Sequence, residues 1–146
     1  MNYTITDNIL LPQLIKKISE VAARAYSPEG TPLYDAIVPV ERDNSTLIGY
    51  CVEALRTLTD RFKGDAYLSD NYPEGVTITI TIPTFDSTRE ASAQSAIEQY
   101  IIYTAVAKYL DERYPQGAKS YADRAAVMID EVVRYMYQRL RPMARR

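Results

Sequence analysis

The segment Gly75–Phe85, GVTITITIPTF, alternates apolar and polar residues and lies between two stretches with helical periodicity. In an extended chain the two kinds of residue point to opposite faces. The apolar face holds Val76, Ile78, Ile80 and Ile82. The polar face holds Thr77, Thr79 and Thr81. A lone strand leaves its backbone N–H and C=O groups unpaired, so this segment requires a partner strand.

The nearest partner in the sequence is Ala66–Ser69, which a turn over residues 70–75 would join to the alternating segment. We therefore predict a β-hairpin over residues 66–82, with its exposed edge available to a neighbouring chain. The sequence leaves open whether the strand Val76–Ile82 pairs within one chain or between chains.

Four helices are predicted around this hairpin, over residues of about 8–25, 44–62, 87–112 and 119–140. Ser87 and Glu90 match a capping box at the start of the third helix. That helix is apolar on more than one face, as expected of a central helix. The turn Tyr114–Gly117 joins it to the fourth helix as an αα-hairpin.

The fold class that follows is mostly α (α+β): a four-helix bundle-like domain with a β-hairpin inserted between helices 2 and 3 and a C-terminal αα-hairpin. The 146 residues form one domain, and residues 141–146 are a frayed basic tail. The proline-marked connection Ser27–Arg42 is too apolar for a free linker. We expect it to pack on the body, with one short turn at Pro32–Ile37.

Composition indicates an ordinary soluble chain, with 47% apolar and 25% charged residues. A net charge of −2 argues against bulk affinity for nucleic acid or for an anionic membrane. No apolar run approaches the roughly 20 residues of a membrane span. The N-terminal segment lacks the basic region of a signal peptide. The single cysteine, Cys51, fits a reducing compartment, so a cytosolic protein is the default expectation.

No pattern in the sequence indicates a catalytic, cofactor-binding or metal site. Histidine is absent, which removes the commonest general base and metal ligand. Cys51 falls on the core face of the second helix, where it behaves as a small hydrophobic residue. The neighbours Asp130 and Glu131 diverge by about 100° on a helix. No glycine-rich phosphate loop occurs. We therefore expect no enzymatic activity and no cofactor.

The sequence has thirteen tyrosines and no tryptophan, and two structural roles are open for the tyrosines. Tyrosine gives a large contact area with a polar tip and is enriched at protein interfaces. It is equally suited to the rim of a hydrophobic core. The sequence does not decide between these roles.

The C-terminal end is basic, since no acidic residue follows Glu131. Five arginines follow it: Arg134, Arg139, Arg141, Arg145 and Arg146. Cations are favourable at a helix C-terminus, which is a sufficient structural explanation. The functional interpretation is an electrostatic contact with DNA or with an acidic ring of protein.

Two segments resemble parts of the small head–tail connector (adaptor, head-completion) proteins of tailed bacteriophages and prophages. The segment Glu41–Leu55 is similar to their acid-capped second helix, and Ala96–Arg113 is similar to their apolar central helix ending in an aromatic–acid–Arg run. Together they cover about a quarter of the chain. The strand TITITI and the ending YMYQRLRP depart from the simplest members, which leaves the subfamily open.

The resemblance implies a structural protein of the virion that forms a ring between portal and tail, and it carries no catalytic residues. The expected partners are further copies of the chain, a portal or tail protein, and DNA through the C-terminal arginines, with no membrane. If the chain is not phage-derived, a cytoplasmic location is expected. The candidate contact residues are Tyr67, Thr77, Thr79, Thr81, Arg134, Arg139, Arg141, Arg145 and Arg146. The alternative is a nucleic-acid-associated or regulatory helical module that uses the arginine-rich end.

Overall fold

A computed structural model describes residues 1–70 and 75–137 of the chain, with the side chains of residues 7–9 and 70 left out. Its helices are α1 Asp7–Arg24, α2 Tyr34–Ile37, α3 Asn44–Arg61, α4 Glu90–Arg113 and α5 Pro115–Tyr137. The long helices and the small sheet described next confirm the mostly α (α+β) fold class. The expected end of the last helix at residues 138–140 and the tail 141–146 lie outside the described residues.

The sheet has three antiparallel strands in the order β1-β3-β2, where β1 is Asn2–Ile5, β2 is Ala66–Asp70 and β3 is Val76–Ile80. The hairpin of β2 and β3 is confirmed, although β3 ends at Ile80. The predicted exposed edge of the hairpin lies on the outer side of β2 and not on the alternating strand. The unpredicted strand β1 pairs with β3 on its other side, so both edges of β3 are filled within the chain.

The core lies between the inner face of the sheet and the long helices. Val76, Ile78 and Ile80 are buried along β3, as the alternation predicted. Helix α4 contacts α1, α2, α3 and α5, and it buries residues around most of its circumference. The apolar pattern therefore identified the central helix correctly.

Asp86, and not Ser87, caps the turn that leads into α4. Its carboxylate accepts hydrogen bonds from the Thr88 N–H at 3.0 Å and from Thr88 Oγ1 at 2.7 Å, and the side chain is buried. These bonds hold the pKa of Asp86 below its ordinary value. A short 3₁₀ turn, Ser87–Arg89, precedes the helix, so the predicted capping box is wrong.

Helix α5 begins at Pro115, four residues earlier than predicted. Proline is favourable in the first helical turn, so Tyr114 alone separates α4 from α5. Gly117 lies where this helix start approaches α1. A Cβ at this position would lie 2.8 Å from Tyr114 Cδ1 and 3.3 Å from Val21 Cγ1.

The connection between α1 and α3 packs on the body, as expected, and contains the short helix α2. The Tyr109 hydroxyl donates to the backbone oxygen of Ile37 at 2.8 Å in a buried position. The Arg113 guanidinium lies 4.0 Å from the centre of the Tyr109 ring and 3.6 Å from the Asp43 carboxylate. These contacts attach the connection to α4.

Candidate assembly surface

The outer face of the sheet is polar. Because β3 places its apolar residues inward, Thr77 and Thr79 lie on the opposite face, where they are half-buried by their neighbours. Thr4 on β1 contacts Thr77 through its hydroxyl group at 2.7 Å. Helix α3 contacts β2 and β3, and the burial pattern places that contact on the inner side. The helices therefore cover one face of the sheet and leave a hydroxyl-rich face opposite.

Tyr67 is the largest side chain on this outer face. It lies on β2 directly across from Thr79 and is 60% exposed. Thr81 lies one residue beyond β3 and is exposed, with its N–H donating to the backbone oxygen of Asp65 at 2.7 Å. Three of the predicted contact residues, Tyr67, Thr77 and Thr79, thus lie on one face of the sheet, and Thr81 follows just beyond the end of β3.

Among the described strands, the edge positions of the sheet belong to β1 and β2. The hydrogen bond between Thr81 and Asp65 fixes which residues of β2 point their backbone groups towards β3. Residues alternate in this respect, so Ala66 and Leu68 direct their N–H and C=O groups outward. An incoming strand would therefore pair with β2 or β1 and not with the alternating strand.

The last described residue of α5, Tyr137, contacts residues of the segment that leads into β2. The Tyr137 hydroxyl donates to Asp65 Oδ2 at 2.7 Å, and the Tyr137 ring centre lies 5.8 Å from that of Phe62. The hydrogen bond to the Asp65 carboxylate raises the pKa of Tyr137. Tyr137 therefore contacts the residue that directly precedes β2.

Of the five predicted contact arginines, one lies within the described residues. Arg134 is exposed in the last described turn of α5, with its guanidinium 5.1 Å from the centre of the Tyr135 ring. The other four, Arg139, Arg141, Arg145 and Arg146, lie outside the described residues.

Sequence reasoning missed the acidic composition of the two segments that contain the strands. All three strands come from residues 1–15 and 64–88, and these two segments contain no lysine or arginine. They contain five acidic residues, of which only Asp70 belongs to a strand and Asp86 pairs with Arg89 at 3.6 Å: Asp7, Asp65, Asp70, Glu74 and Asp86. The absence of basic residues is visible in each segment, but only the pairing of β1 with β3 joins the two segments in one sheet.

A second polar region lies between α1 and α4, around Glu98. The Gln13 side-chain amide donates to Glu98 Oε1 at 2.8 Å, and burial together with the nearby Glu98 carboxylate raises the pKa of Tyr3. The groove here holds about 270 Å³ and has Glu98 as its only carboxylate and Lys17 as its only basic residue. Within residues 1–70 and 75–137, no three metal-ligating side chains are grouped to hold an ion. Cys51 is buried in the core.

These features define a small α+β domain with its helices on one face of a three-stranded antiparallel sheet and a polar face opposite. In the described part of the chain, no helix has both the length and the apolar character needed to cross a membrane. No protein-family model matches the sequence, and no curated protein or solved structure matches it either.

Proposed function

We propose that this chain is a non-enzymatic assembly protein that forms an oligomeric ring, as a head–tail connector subunit of a bacteriophage or prophage. The observation that carries the proposal is the polar outer face of the sheet, with the exposed Tyr67 on its edge strand. The arginine-rich segment follows Tyr137 in the sequence, and Tyr137 contacts Asp65 just before that strand. We propose a connector, and not another kind of assembly, because Glu41–Leu55 and Ala96–Arg113 resemble connector helices.

A ring requires a heterologous interface, in which one surface of a copy meets a different surface of the next copy. The chain offers two surfaces of different character. One is the hydroxyl-rich sheet face with Tyr67, and the other is the basic end that begins at Arg134. A tyrosine that is exposed in the monomer is typical of interface positions, because its ring buries a large area at low conformational cost.

The first test is the mass in solution, measured by light scattering over a wide concentration range. We expect a discrete species of many copies. Tyr67→Ala should raise the midpoint concentration of assembly at least tenfold, because truncation of a central interface aromatic costs about 2 kcal/mol. Tyr26→Ala is the matched control, because Tyr26 is 55% exposed on a loop remote in sequence from the sheet.

Two results would contradict the proposal. If Tyr67→Ala and Tyr26→Ala changed the midpoint concentration equally, assembly would not depend on the sheet face. A chain that stays monomeric at every concentration and binds duplex DNA in a salt-dependent manner would favour the nucleic-acid-associated module. In that case truncation after Leu140 should abolish DNA binding.

A further inference from the structure

The two edges of the sheet differ in what covers them. On β1, the backbone oxygen of Asn2 points away from β3 and accepts a hydrogen bond from the Gln94 side chain at 3.1 Å. On β2, Ala66 and Leu68 direct their N–H and C=O groups away from β3. No residue of the described ranges 1–70 and 75–137 is hydrogen-bonded to those groups. Among the described strands, β2 is therefore the one with an open edge.

Strand β2 carries none of the usual devices that keep an edge strand from pairing. Such strands are commonly protected by a lysine, a proline or a β-bulge. The sequence of β2, AYLSD, contains no lysine or proline, and β2 pairs with β3 residue for residue without a bulge. Its apolar side chains are also incompletely covered, since Leu68 is half-buried on the inner face and Tyr67 is exposed on the outer face.

We propose that β2 of one copy pairs with β2 of a second copy in antiparallel orientation, with Tyr67 of the two copies directly opposite each other. The two three-stranded sheets then become one six-stranded sheet. Because both copies use the same strand, this contact is isologous and closes at two copies. It goes beyond the proposed ring, whose contact is heterologous, and does not depend on it.

The backbone geometry of β2 allows this register. Ala66 of each copy lies opposite Leu68 of the other, and each such pair exchanges two N–H···O bonds, which gives four bonds in all. Tyr67 then occupies a non-hydrogen-bonded pair, in which the Cα atoms are about 4.5 Å apart. The two Tyr67 rings lie side by side on the outer face, as in stabilising cross-strand aromatic pairs. On the inner face, Ala66 of the second copy covers the exposed part of Leu68.

The same register keeps like charges apart and favours a second copy as the occupant. Asp65 is the only charged residue in the segment 64–69, and it lies opposite Ser69 of the second copy. The two Asp65 residues are four positions apart along the strands, which is about 13 Å and exceeds the Debye length of about 10 Å at 0.1 M salt. Strand β1 of a second copy is not available in the same way, because Gln94 binds Asn2. An identical open edge is available on every copy.

The first test is a disulfide across the two-fold axis. In Tyr67→Cys the pairing places the two new thiols on Cα atoms about 4.5 Å apart, within the range of about 4.4–6.8 Å that a disulfide spans. The two thiols lose two electrons and two protons to oxidised glutathione, which becomes two molecules of reduced glutathione. We expect covalent dimers to form at least tenfold faster than with Tyr26→Cys, because Tyr26 is similarly exposed at 55% but lies away from β2 in the sequence. Cys51 is buried and gives no background.

A second cysteine position tests the register. Ser69 of one copy lies about 13 Å along the strand from Ser69 of the other, which is beyond the reach of a disulfide. Ser69→Cys should therefore form covalent dimers no faster than Tyr26→Cys. If a mixture of the Tyr67→Cys and Ser69→Cys proteins formed mainly mixed dimers, Tyr67 would lie opposite Ser69, and the register that we infer would be overturned.

A substitution in the backbone tests the hydrogen bonds themselves. Ala66→Pro removes two of the four bonds between the copies, and proline is tolerated on an edge strand where its N–H side faces away from the sheet. We expect the dimer dissociation constant, measured by analytical ultracentrifugation, to rise at least tenfold. Ala66→Ser keeps the N–H group and is the matched control, with an expected change of less than about threefold. Equal dissociation constants for the two variants would overturn the inference.

The outcomes also separate this inference from the proposed ring. A wild type that forms a species of many copies, while Tyr67→Cys links no faster than Tyr26→Cys, overturns the inference and leaves the ring. A wild type that forms dimers and nothing larger, with fast linking of Tyr67→Cys, supports the inference and overturns the ring. A wild type that stays monomeric at every concentration overturns both.

Discussion

Replacing Gly49 or Gly117 with alanine should change stability in opposite directions, although both residues lie in helices. Gly49 is exposed in α3, and an added Cβ there would meet no atom within 4 Å. Alanine is favoured over glycine in a helix by about 1 kcal/mol, so Gly49→Ala should raise the free energy of unfolding by about 0.5–1 kcal/mol.

At Gly117 the same gain is opposed by a steric conflict. The added Cβ would lie 2.8 Å from Tyr114 Cδ1, where ordinary contact begins at 3.4 Å, and Val21 Cγ1 is only 3.3 Å away. The Tyr114 ring must move while α1 restricts the other side. Overpacking of this kind costs about 1–3 kcal/mol, so after the helical gain of about 0.5–1 kcal/mol Gly117→Ala should lower the free energy of unfolding by up to about 2 kcal/mol.

Urea unfolding followed by circular dichroism measures both changes. The midpoints should move to higher urea for Gly49→Ala and to lower urea for Gly117→Ala, with the slope m unchanged, because neither alanine alters the surface exposed on unfolding. If Gly117→Ala were as stable as Gly49→Ala, the close approach of α5 to α1 and our reasoning from it would be refuted.

Three further substitutions probe the core and the cap. Tyr109→Phe removes the buried hydrogen bond to Ile37 and should cost about 1–2 kcal/mol in urea unfolding, without changing the helix content. The stability of Asp86→Asn should fall less steeply than that of the wild type as the pH is lowered. The pKa of Asp86 is lowered on folding, so its stabilising effect is present above the unfolded pKa near 3.8 and is lost as the pH falls through the lower folded pKa. Melting temperatures of both proteins, measured from about pH 6 to about pH 3, report the difference. Thr79→Pro should prevent folding at 25 °C or cost about 3 kcal/mol or more, because it removes a backbone donor from the central strand. A normal melting temperature for this variant would contradict the strand order.

Periodicity carried most of the fold prediction, because α3, α4 and β3 each repeat a long pattern with a single period. Strand β1 was missed since it has only four residues, of which Tyr3 and Ile5 point inward, and α1 follows after Thr6 alone. Nothing local distinguishes such a strand from an extended lead into a helix. Its identity depends on pairing with β3, more than 70 residues away.

Caps and surfaces were less predictable for a related reason. Asp86 and Ser87 both fit the residue preferences of a helix cap, and the hydrogen bonds to Thr88 decide between them only in three dimensions. The alternating strand indicated that a partner was needed but could not say that two partners lay in the same chain. The contact of Tyr137 with Asp65 had no sequence signal, because it joins residues 72 positions apart.

The strand order also has a consequence for how the chain folds. The β2–β3 hairpin closes a short turn, whereas β1 must close a loop of about 70 residues, and the longer closure costs about 2 kcal/mol more in chain entropy. The hairpin is therefore expected to form first, and β3 then has one unpaired edge until β1 arrives. During that interval β1 of another chain can take the vacant place, since it is an identical element. Refolding at high protein concentration should accordingly yield strand-exchanged dimers that native dilution does not produce.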